Sequence, residues 1–70
     1  MPNKPRIPAR FSIGDVVEIE SNIHLRFSGK RGVIIDREIS RHTHTLDKYT
    51  VRFDGQEIET FWDIELKKPD

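Results

Sequence analysis

His42 and His44, two residues apart, and His24 further back are the first side chains here whose types could do chemistry: three imidazoles are the beginnings of a metal site. No carboxylate at ligand spacing completes it, and histidines in a polar loop need no such explanation. Ser, His and Asp all occur, yet no serine sits in a nucleophile elbow. Gly29-Lys30-Arg31-Gly32 sets two cations between two glycines, a combination that holds anions where turn amides converge. A Walker loop needs wider glycine spacing and a following helix, so the plainer reading is a turn into a strand. Phe27, Tyr49, Phe61 and Trp62 are the aromatic candidates for a patch that binds peptides or stacks bases. Core packing is expected of Tyr49, whereas Trp62, large and carrying an N–H that needs a partner, is open to either role.

The chain has no cysteine, which removes disulfides, thiolate metal sites, iron–sulfur ligation and a Cys nucleophile, and with them most routes by which a 70-residue chain becomes an enzyme. A binding or accessory role without catalytic residues, cofactor or metal is the expectation. Lys and Arg number 12, as do Asp and Glu, so the formal charge is zero, against the basic balance expected of a nucleic-acid module. The charge is unevenly spread: residues 1–10 hold Lys4, Arg6 and Arg10 with no acid, while residues 49–70 hold three cations against six acids. No apolar run approaches the roughly 20 residues of a membrane span, and prolines stand where a signal peptide would be hydrophobic; the expected setting is the cytoplasm, with no membrane contact.

The elements that must position these residues read as short strands. Pro2, Pro5 and Pro8 make residues 1–10 a disordered or extended basic tail, leaving 11–68 as a single domain. Apolar residues at Phe11, Ile13, Val17 and Ile19, with Gly14-Asp15 as a turn, predict a first strand over 13–20. Residues 21–31 predict a folded-over loop. Val33-Ile34-Ile35 predicts a central strand buried on both faces, and 36–48 a long connection. Tyr49, Val51 and Phe53 alternate up to Asp54-Gly55, which predicts a two-residue type I′ hairpin that pairs Val51 with Ile58 in the core. Phe61 to Ile64 predicts a single 3₁₀ turn before a last strand at 65–68. Together these make an all-β fold, a small five-stranded SH3-like barrel with a one-turn 3₁₀ segment before the last strand.

Two resemblances attach to these residues. Gly14-Asp15-Val16-Val17-Glu18-Ile19 followed by Gly29-Lys30-Arg31-Gly32-Val33-Ile34 resembles the KOW motif of ribosomal proteins and transcription elongation factors, which implies RNA or ribosome binding through Arg26, Lys30, Arg31 and the basic tail. The neutral charge counts against it. A fuller match is the C-terminal domain of the nitrile hydratase β subunit, in order from Arg10 to Leu66. Arg10-Phe11-Ser12-Ile13-Gly14-Asp15-Val16-Val17 resembles its Arg-Phe-x-x-Gly-Asp-x-Val strand, and His24-Leu25-Arg26-Phe27 its His-Thr-Arg…Tyr loop. Gly29-Lys30-Arg31-Gly32-Val33-Ile34 resembles its Gly-Lys-x-Gly-x-Ile turn, Tyr49-Thr50-Val51-Arg52-Phe53 its Tyr-Thr-Val-Arg-Phe strand, and Phe61-Trp62-Asp63-Ile64-Glu65-Leu66 its Leu-Trp-Glu-x-x-Leu ending. Phe61…Glu65-Leu66 is also similar to the endings of the ferredoxin–thioredoxin reductase variable chain and of a small accessory protein of photosystem I, both of the same superfamily. In these relatives the barrel is a cysteine-free supporting subunit beside a metal- or redox-bearing partner. The resemblance therefore implies a non-catalytic accessory chain, holding no cofactor, that binds another protein subunit through His24, Arg26, Phe27, Lys30, Arg31 and Trp62. Arg26 would be its contact to oxidised cysteines in the partner, since a guanidinium fork suits oxygen acceptors.

Overall fold

A computed structural model describes residues 8–21 and 26–70. Most of the expected tail (1–7) and His24 lie outside the described residues. The fold is all-β, with strands β1 (Val16–Ile19), β2 (Arg31–Glu38), β3 (Lys48–Arg52), β4 (Ile58–Trp62) and β5 (Leu66–Lys67) and three single 3₁₀ turns at His44–Leu46, Asp54–Gln56 and Asp63–Glu65. The strands form one antiparallel sheet in the order β4-β3-β2-β1-β5. No helix among the described residues is long and apolar enough to cross a membrane.

The first strand starts later than expected because Ser12–Asp15 forms the turn itself. The Asp15 N–H donates to the Ser12 carbonyl at 3.0 Å, the Asp15 carboxylate accepts the Ser12 N–H at 2.8 Å, and Gly14 takes a φ of 97° that a side chain would resist. β2 lies at the centre of the sheet, as the β-branched run predicts, but only Ile34 is fully buried; Val33 and Ile35 are half-buried, since the second face of the sheet is open. A bulge between Ile34 and Asp36 absorbs Ile35 and lets β2 run on to Glu38. The expected 36–48 connection is thereby cut to 39–47.

The third hairpin differs from expectation by one residue. Its turn has three residues, with positive φ at Gly55 (80°) and Gln56 (67°), and the Phe53 N–H donates to the Glu57 carbonyl at 2.8 Å. Val51 therefore pairs with Glu59 and Tyr49 with Phe61. A one-residue slip exchanges the faces of a whole strand: Ile58, expected in the core, is 56% exposed, and Phe61 takes the inner place at 1%. The aromatic packing explains the choice. Phe61 meets Phe27 and Phe53 edge-on at 5.7 and 6.0 Å, while Phe27 and Phe53 stack at 4.8 Å, a cluster that Ile58 could not replace. β4 also continues through Trp62, so the last 3₁₀ turn begins at Asp63 and the final strand contracts to Leu66–Lys67.

Candidate functional site

Those sequence-derived docking residues that the structure describes fall at two ends of the sheet. At the first end Arg26 and Lys30 lie over Phe27, their charged groups 5.1 and 5.5 Å from its ring centroid. Phe27 itself is 2% exposed, so its ring belongs to the core and is unavailable to a partner. Arg26 Nη2 lies 3.0 Å from Glu57 Oε2, and Arg31 Nε lies 3.0 Å from Glu18 Oε1. Glu18 also meets Lys67 Nζ at 3.2 Å. Hydrogen bonds from Arg31 and then Lys67 hold its carboxyl below the usual glutamate range, and Glu18 in turn raises Lys67. A cleft of about 420 Å³ here is lined by Lys30, Arg31, Phe53, Asp54 and Glu57, so two cations face two acids across it. The anion site suggested by Gly29-Lys30-Arg31-Gly32 thus shares its corner with carboxylates.

Trp62 stands at the other end. The register places it opposite Lys48, which is opposite Glu38, whereas Arg31 opens the same strand β2 seven residues earlier. At about 3.3 Å per residue the two ends are about 23 Å apart along the strand. Trp62 is 43% exposed, with the Lys48 ammonium 4.8 Å from its ring centroid. Lys48, Thr60, Phe61, Trp62 and Glu65 line a cleft of about 380 Å³. Alternation along the strands makes Trp62 part of a wider outer face. Thr50 and Thr60 meet through their hydroxyls at 3.2 Å, and Val16, Val33, Arg52 and Ile58 form a row across four strands.

What holds Trp62 in place comes from residues that the sequence alone leaves unassigned. Its backbone N–H donates to Glu65 Oε1 at 2.9 Å, tying the end of β4 to the following turn. That turn is clamped from the N-terminal side. Arg10 Nε donates to Asp63 Oδ1 at 3.0 Å, and its Nη2 donates to the carbonyls of Asp63 at 2.9 Å and Leu66 at 2.7 Å. Asp63 is 2% exposed, so the guanidinium is the countercharge for a buried carboxylate. The Asp63 N–H donates to the carbonyl of Asp47, itself buried, whose Oδ1 accepts the Ser40 N–H at 2.7 Å. Beneath lies Tyr49, its ring edge-on to Phe11 at 5.5 Å and its hydroxyl buried without a hydrogen-bond partner. Burial raises its phenol pKa. Arg10 was legible as one more cation of the tail; only its contact with a residue 53 positions away reveals a clamp.

His42 is exposed and His44 opens the first 3₁₀ turn half-buried, with Nδ1 buried and without a partner. Among the described residues no three His, Asp or Glu side chains group as a metal site. Compared with protein-family models, with curated proteins and with solved structures, the chain matches none.

Proposed function

We propose that the chain is a non-catalytic accessory protein, an SH3-like barrel that binds another polypeptide through the outer face around Trp62. The observation that carries this reading is Trp62 itself: a half-exposed residue with a cation over its ring, beside a cleft, at the end of β4 just before a turn tied down by Arg10 and Glu65. Large aromatic side chains presented in this way are the usual anchors of protein interfaces, because they bury much area at little conformational cost. The SH3-like assignment is supported by the meandering order β4-β3-β2-β1-β5 and by the one-turn 3₁₀ segment before the last strand. The resemblance to the nitrile hydratase β subunit and its relatives suggests a partner that bears a metal or redox centre, with the chemistry belonging to that partner. In this reading Trp62 and Lys48 are the primary contacts and the Arg26 corner is secondary, since Arg26 and Arg31 already meet acids.

The test is affinity purification of the intact chain from its own host beside the Trp62→Ala variant, with bound proteins identified by mass spectrometry. A protein retained stoichiometrically by the native chain and at least tenfold less by the variant supports the reading, tenfold being about 1.4 kcal/mol and within the range of one anchor. Equal retention by both, or none by either, contradicts it.

A further inference from the structure

On the outer face, β3 presents Lys48, Thr50 and Arg52, and the register partners on β2 are Glu38, Asp36 and Val33. Arg10, Arg26, Arg31 and Lys67 each have a carboxylate oxygen within 3.2 Å. Lys48 and Arg52 form no ion pair among the described residues. Glu38 is directly opposite Lys48, yet the ammonium lies over Trp62. Lys48 and Arg52 thus run beside Asp36 and Glu38, and among the described residues none of the four takes part in an ion pair. The same face exposes Val16 (50%) and Ile58 (56%).

Two adjacent rows of opposite charge are complementary to themselves under a half-turn, which is the requirement of an isologous interface. Take the axis parallel to the strands and midway between β2 and β3. Rotation about it lays every β2 residue over the β3 residue that is its neighbour in register, now belonging to the other copy. Glu38 then meets Lys48 of the second copy, Val33 meets the stem of Arg52, and Val16 meets Ile58, because these four rows are aligned across the sheet. We propose that the outer face of β2 and β3 docks a second copy of this chain in this arrangement. Lys48, Arg52 and Trp62 would also suit a single nucleic-acid strand, but Asp36 and Glu38 in the adjoining row repel phosphates. The four strands span about 14 Å and the aligned rows run about 13 Å along them. The contact is therefore well below the roughly 800 Å² per partner of a standard interface, and the association is weak.

The inference rests on taking the outer face as a docking surface, as the functional reading does, and names one occupant. Sedimentation of the intact chain over about 10 μM to 1 mM is expected to show the mean mass rising from 8.2 kDa toward twice that value. Lys48→Glu alone and Glu38→Lys alone place like charges opposite each other and are each expected to weaken association at least about tenfold. Mixed in equal amounts, the two variants present opposite charges at both positions and are expected to associate at least as tightly as the native chain. Circular dichroism of each variant checks that it is folded. A native chain that stays monomeric, single variants that associate like it, or a mixture no better than its components each overturn the proposal. So does a monomer that binds an oligo-dT strand in a salt-dependent way through Lys48 and Arg52. A chain that retains a foreign protein but never self-associates overturns this inference alone; one that self-associates but retains nothing else overturns the functional reading alone.

Discussion

Arg10 and Arg26 each place a guanidinium nitrogen 3.0 Å from a carboxylate, and the two regions they serve differ in everything but that distance. At the Arg26 corner the side chains are 70% and 43% exposed, so water and salt screen the pair and little is lost when it breaks. At the Trp62 end the acid is Asp63, 2% exposed, and Arg10 also engages two backbone carbonyls of the turn that follows the indole. Removing Arg10 leaves a buried carboxylate and the Leu66 carbonyl without the donor it supplied, while the Asp63 carbonyl keeps only the Leu66 N–H. The contact distance is the same; desolvation decides which pair holds the structure. The corner richest in cations is therefore the less specific surface, and the end with one exposed aromatic ring is the one the fold holds in place.

The largest expected effect is that of Arg10→Ala, a loss of about 2–3 kcal/mol in chemical denaturation, as for a partly exposed donor to a buried charge. A loss under about 0.5 kcal/mol would make the clamp no stronger than a surface pair and end the comparison. Gln56→Gly, at the Arg26 end, is expected to stabilise by about 0.5–1 kcal/mol, because Gln56 holds a positive φ of 67° that glycine adopts freely. A destabilisation there would show that the three-residue turn is not the solution form. Arg26→Ala is expected to cost under about 0.5 kcal/mol in the same assay, less still at high salt. A cost matching that of Arg10→Ala would erase the distinction between the two ends.

The smallest effect is confined to acid. Glu18 has its pKa lowered by Arg31 and Lys67, so its contribution is present above the ordinary glutamate range and is lost as pH falls through the depressed folded value. Glu18→Gln is expected to flatten that part of the acid limb of a stability–pH profile. An unchanged limb would mean that these ion pairs of the exposed face do not persist in solution.

Much of the fold could be read from local signals. Val33-Ile34-Ile35 marked the centre of the sheet, Gly14-Asp15 marked the turn before β1, and the 3₁₀ turn ahead of the last strand was expected within two residues. The hairpin register was not legible, because Asp54-Gly55 is compatible with a two- or a three-residue turn. The outcome depended on Phe61 fitting the Phe27–Phe53 stack, a contact made across the chain. The candidate site was legible in part for the same reason. Trp62 stood out by type, whereas Arg10, Asp63 and Lys48 acquire meaning only when the sheet brings distant residues together. Phe27 misled because an aromatic ring between two cations reads as a surface feature until the fold buries it.

Trp62 is the only tryptophan of the chain, so its fluorescence reports on the central claim without interference. Emission and acrylamide quenching should be compared between the isolated chain and the complex purified with it from the host. Solvent-exposed, readily quenched emission is expected from the isolated chain, turning blue-shifted and protected in the complex after allowance for any tryptophan of the partner. A stable complex in which Trp62 stays as quenchable as in the free chain would contradict the claim.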